Sequence, residues 1–83
     1  MEYVATFFSH FGAMQFAKKI KKLGGSCKIM PVPRQLSSSC GSCVKFTVSG
    51  EEVQALAGEE VEKIYLLSGD GFTVAIDRLE EGE

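Results

Sequence analysis

Cys43-Val44-Lys45-Phe46-Thr47-Val48-Ser49-Gly50-Glu51-Glu52 carries two structural signals end to end. Val44, Phe46 and Val48 alternate with Lys45 and Thr47, the period of a half-buried strand. Ser49 followed three residues later by Glu52 fits a capping box, so a helix is expected to begin where the strand stops. Val53, Leu56 and Ala57 form the apolar stripe of that helix, and Gly58 marks its end. Val61 to Leu67 then reads as another strand. The segment is a strand-helix-strand unit.

Working back toward the N-terminus gives the same order again. Tyr3 to Phe8 is a run of β-branched and aromatic residues, read as a buried strand. Ser9 offers an N-cap oxygen, and Ala13, Phe16, Ala17, Ile20 and Leu23 recur at helical spacing, with Lys18, Lys21 and Lys22 on the other side. Phe7, Phe8, Phe11 and Phe16 are read as core. Gly24-Gly25 supplies a left-handed helix end. Cys27 to Met30 is a second strand, stopped by Pro31-Val32-Pro33 because proline cannot donate to a ladder.

Two such units joined by a loop give β-α-β-β-α-β, the order of the ferredoxin-like sandwich in the α+β class. Ser68-Gly69-Asp70-Gly71 is a turn, and Phe72 to Ile76 returns as an added C-terminal strand. The expectation is therefore a single domain over residues 1–83, with 79–83 an acidic, frayed tail. In that topology the loop between the second and third strands lies at the same end as the start of the first helix. Cys40 is thus expected on the side of Ser9 and His10.

The 83 residues carry a net charge of −2, divided unevenly. Residues 1–50 hold seven basic residues against Glu2 alone, and residues 51–83 hold ten acidic residues against Lys63 and Arg78. Such a dipole can orient docking onto a partner. Aromatics do not interleave with the lysines as base-stacking platforms would, so nucleic acid is not the expected ligand. No apolar run approaches the roughly 20 residues of a membrane span, and Met1-Glu2-Tyr3 does not open a secretory signal. A cytoplasmic chain is expected, with no membrane partner.

Chemistry concentrates in Cys40-Gly41-Ser42-Cys43, a CxxC within a serine-rich loop. A thiolate in this spacing can be stabilised by its neighbour, by a cation such as Arg34, or by unpaired backbone N–H groups. Cys27, an odd third cysteine, alternates with Ile29 on a strand and is read as a small buried hydrophobe. Cys27, Cys40, Cys43 and His10 together would make a zinc set, but the paired knuckles of such sites are missing, and no metal is expected. His10 stands alone as a capping residue or a helper to the thiol loop. Gly24-Gly25 lacks the residues of a phosphate-binding loop, so no cofactor is expected.

Pro31-Val32-Pro33-Arg34 followed by Ser37-Ser38-Ser39-Cys40-Gly41 resembles the putative selenium/sulfur carrier protein-like family of small bacterial proteins. That pattern is a strand ending in Pro-x-Pro-Arg, two residues, then a Ser-Ser-Cys-Gly loop. The resemblance implies that Cys40 is a carrier thiol, with Arg34 and Gly41 supporting its loop. It also implies a pyridoxal-phosphate desulfurase or a selenocysteine lyase as donor, with an acceptor it does not identify. Cys43 lies outside the pattern, so a resolving thiol at Cys43 is suggested by this sequence alone. Two rival readings share the chain. One is a small thiol–disulfide redox protein using Cys40 and Cys43. The other is a ferredoxin-like binding or regulatory module with incidental cysteines, binding through the sheet face or pairing with another copy. An exposed edge at the second or fifth strand would allow a homodimer by strand addition.

Overall fold

A computed structural model describes residues 2–36, 40–48, 55–56, 58, 60–69 and 71–77. The element order is β1 (Glu2–Phe7), α1 (His10–Lys22), β2 (Ser26–Pro31), β3 (Ser42–Thr47), β4 (Val61–Ser68) and β5 (Gly71–Asp77). All five strands form one sheet in the order β2-β3-β1-β4-β5, and every neighbouring pair is antiparallel. Among the described residues the protein is thus α+β, with helix α1 on a five-stranded antiparallel sheet. The second helix expected from Ser49 lies outside the described residues, except that Ala55 and Leu56 are helical and Leu56 is buried in the core.

β1 is the central strand, which explains its composition. It pairs with β3 on one side and β4 on the other, and Tyr3 through Phe7 are all buried. Tyr3, Ala5 and Phe7 point toward α1, and Val4 and Thr6 sit on the opposite face. On the α1 side, Phe16 lies between Phe7 (centroids 5.2 Å) and Phe46 (4.9 Å), and Tyr3 stacks on Phe46 at 5.7 Å. These separations suit tilted and edge-to-face ring packing. Ala13 and Ile20, one helical turn to either side of Phe16, complete the face of α1 buried on the sheet.

Both ends of α1 are closed as the sequence indicates. Ser9 is the N-cap, its Oγ accepting from Gly12 N–H at 3.1 Å. At the other end Gly24 N–H donates to Lys21 C=O (3.1 Å) and Gly25 N–H to Ile20 C=O (3.0 Å), a Schellman pair. Gly24 has φ +80°, a value that favours glycine.

Two expectations need correction. Phe8 and Phe11, read as core, are 41% and 66% exposed. Phe11 stands on the side of α1 opposite Ala13, Phe16 and Ile20, so helical phase overrides its residue type. Cys27 is half-buried rather than buried, because β2 is an edge strand and covers its residues on one side only. Its thiol still faces α1, donating to Ala17 C=O at 3.5 Å. Among the described residues no helix is long and apolar enough to cross a membrane.

Candidate functional site

The register of the sheet builds the thiol site. Thr6 of β1 pairs with Cys43 of β3, so the start of β3 lies level with the end of β1, where the chain turns into α1. His10, the first residue of α1, meets Ser42, the first residue of β3, with Nδ1 and Oγ 3.3 Å apart. Cys40 is two residues from Ser42, and its Sγ–H donates to the Ser42 carbonyl at 3.6 Å. Cys40, Ser42 and His10 therefore share one end of the sheet.

The connection from β2 to β3 is closed at its base by Val32 N–H to Gly41 C=O, 3.1 Å. Within it, Leu36 N–H donates to Pro33 C=O at 3.0 Å, a turn that places exposed Arg34 at its second position. Proline favours extended backbone before it and cannot donate to a ladder, so the strand gives way to a turn here. Gly41 follows Cys40 with φ +75° and open space around its α-carbon, and this left-handed residue bends the chain into β3.

The two CxxC cysteines differ sharply. Cys40 is half-buried, resting against the edge of the core with part of its surface in solvent. Cys43 is fully buried, with Thr6 opposite on one side, Met30 on the other, and its thiol donating to Pro31 C=O at 3.7 Å. Burial pushes the Cys43 thiol above its usual value, and negative charge on Cys40 raises it further. The thiolate is the nucleophile in sulfur chemistry. At neutral pH Cys43 is a protonated core residue.

Burial of Cys43 has a measurable consequence. Its folded pKa lies above that of the unfolded chain, so its contribution to stability is intact below the unfolded value near ~8.5 and is lost as pH rises through the folded one. The urea midpoint of the wild type is expected to fall more steeply above about pH 8.5 than that of Cys43→Ala. Parallel profiles in the two proteins would show that Cys43 ionises freely.

Glu60 was not anticipated from the sequence. Its Oε1 accepts from Ser9 Oγ at 2.7 Å, and its carbonyl accepts from Phe8 N–H at 3.0 Å. The first turn of α1 contains no acidic residue, so Glu60 supplies negative charge at the positive end of the helix from 51 positions away. A β-carbon added at Gly12 would lie 2.5 Å from the Glu60 β-carbon, so glycine is required for this approach. Gly12→Ala is expected to destabilise the protein by about 1–3 kcal/mol, read as a lower urea midpoint. The signal in the sequence was a glycine in the first turn of a helix whose cap lacks its own carboxylate.

Among the described residues no group of three His, Cys, Asp or Glu side chains comes together as a metal set. Cys27 sits at the α1–β2 contact, where its thiol bonds to Ala17. The arrangement places the half-buried Cys40 thiol on the β2–β3 connection, with a histidine and a serine hydroxyl at the same end of the sheet.

A family model described as "Putative Se/S carrier protein-like" matches residues 2–66, a span running from β1 into β4 and including the whole thiol loop. β5 lies outside the match. Uncharacterized protein YtiA of Escherichia coli (strain K12) is 32% identical over 65 residues, 77% of this chain and 76% of that protein. No solved structure matches the chain.

Proposed function

This chain belongs to the "Putative Se/S carrier protein-like" family, and on that footing we propose that Cys40 carries sulfur or selenium between proteins. The observation that supports this most is the contrast between half-buried Cys40, on its loop, and fully buried Cys43 two residues beyond Gly41. In loading, the Cys40 thiolate attacks the outer sulfur of a persulfide on the donor's cysteine. A new S–S bond forms as the donor's breaks, the electron pair leaves with the donor thiolate, and Cys40 becomes a persulfide. An acceptor nucleophile repeats the step and releases Cys40 as thiolate. Selenium follows the same course through a selenosulfide. No external oxidant or reductant enters.

Within this reading Arg34 provides a cation on the loop for the anionic cargo, and Gly41 provides the bend that presents Cys40. His10 holds Ser42, whose carbonyl receives the Cys40 thiol. The donor is a pyridoxal-phosphate cysteine desulfurase or a selenocysteine lyase, and the setting is the cytoplasm. We read the β2-β3-β1-β4 order as ferredoxin-like, with β5 added beyond β4. A second copy would add to the sheet at either edge, β2 or β5.

The test is intact-mass spectrometry after incubation with a cysteine desulfurase and L-cysteine. A gain of about 32 Da localised to Cys40 is expected. A loss of about 2 Da would instead indicate a Cys40–Cys43 disulfide and a redox protein, which requires Cys43 to leave its buried position. No change in mass with the desulfurase, and none with sodium polysulfide either, would point to a binding module and end the carrier reading.

A further inference from the structure

The solvent side of α1 does not look like an ordinary polar helix face. Phe11, Met14, Lys18 and Lys22 recur at intervals of three, four and four residues, a single stripe opposite the buried one. Phe11 is 66% exposed and Met14 45%, and Phe8, just before the helix, is 41% exposed. Isolated exposed apolar residues are ordinary, but these three gather at one end of one helix. That end is the thiol end, because His10 contacts Ser42 and Ser42 receives the Cys40 thiol. The far end is basic: α1 contains four lysines and no acidic residue.

We propose that this stripe is the docking surface for the protein that loads Cys40, and that the partner presents an apolar patch flanked by carboxylates. The inference rests on the carrier reading. Phe11 and Met14 fill the apolar patch beside the thiol, and Lys18 and Lys22 pair with carboxylates farther along. The partner's reactive sulfur is thereby placed over the Cys40 loop. A nucleic acid or an anionic membrane fits less well. The chain as a whole carries a net charge of −2, with ten acidic residues in its second half, and phosphates have no use for an exposed Phe11. The 13-residue helix is roughly 20 Å long, the scale of a transient contact, which suits a carrier that must let go of its donor.

The test uses the full chain and a purified pyridoxal-phosphate cysteine desulfurase with L-cysteine, following the rate at which Cys40 gains sulfur as chain concentration is varied. Phe11→Ser and the double variant Lys18→Glu/Lys22→Glu are compared with wild type. Sodium polysulfide, which needs no docking, loads each protein in parallel. Each variant is expected to raise the KM for the carrier about tenfold with kcat near wild type. Polysulfide loading should be unchanged, and the wild-type KM should rise with salt. Wild-type KM values in both variants would overturn the docking surface and leave the carrier reading standing. So would polysulfide loading of the wild type without loading by the enzyme. Slower polysulfide loading in the variants would overturn it too, by showing that the stripe merely supports the loop. If neither enzyme nor polysulfide loads Cys40, the carrier reading itself fails, and the docking surface falls with it.

Discussion

Cys40→Ser is expected to abolish sulfur loading completely, and Cys43→Ala to leave it intact. The asymmetry follows from position. A serine hydroxyl at residue 40 cannot form a persulfide, and the remaining thiols are poorly placed to substitute. Cys43 is sealed between Thr6 and Met30 and held protonated by burial. Cys27 lies at the α1–β2 contact, its thiol directed to Ala17. Intact mass with peptide mapping reads the result: the gain of about 32 Da disappears in Cys40→Ser and persists in Cys43→Ala. Loading of Cys40→Ser at the wild-type level would move the site elsewhere. Loss of loading in Cys43→Ala, with the fold preserved, would show that the buried thiol takes part.

Phe16→Ala should have the largest effect on stability. Phe16 is the ring through which α1 grips the sheet, touching Phe7 of β1 and Phe46 of β3, and it is 4% exposed. Truncating a buried phenylalanine costs about 3–5 kcal/mol, the lost transfer energy plus the cavity left behind. A small domain has only about 5–15 kcal/mol in total, and a chain of this length sits toward the lower end. The variant is expected to be largely unfolded at 37 °C and to shift its urea midpoint further than any surface substitution. Phe11→Ala, on the same helix but facing solvent, should change the midpoint by less than about 0.5 kcal/mol equivalent. Similar losses in the two variants would mean that the phase of α1 is wrong.

The sequence made much of this structure legible, because periodicity and chain breakers coincide in it. The alternation at Val44 and Phe46 locates β3, the spacing at Ala13, Phe16 and Ile20 locates α1, and Gly24-Gly25 closes that helix. The end of the sheet where His10 meets the thiol loop also follows from the order of elements. What was hidden depends on neighbours in space. Cys43 shares its face of β3 with Lys45 and Thr47, yet it is fully buried and those two are only partly so. Cys27 faces the helix as its alternation implies, but no inspection of β2 alone shows that β2 is an edge. Glu60 is 51 residues from the hydroxyl it binds, a separation across which local signals carry nothing.

The central position of β1 also shapes how the chain is made. Tyr3 through Phe7 leave the ribosome well before their partners, which are Phe46 and Val44 on one side and Leu66 and Ile64 on the other. At a synthesis rate of about 5–20 residues per second, the second set follows roughly 3–12 s later. Hydrophobic collapse of a chain this size takes on the order of microseconds, so the nascent strand samples wrong contacts long before its true ones exist. Exposed apolar strands of this kind are hazards for aggregation on a crowded polysome. The four lysines of α1 are the next charges to emerge, all arriving within about 1–3 s of Phe7. They place a solubilising block beside the vulnerable strand for most of the time it waits.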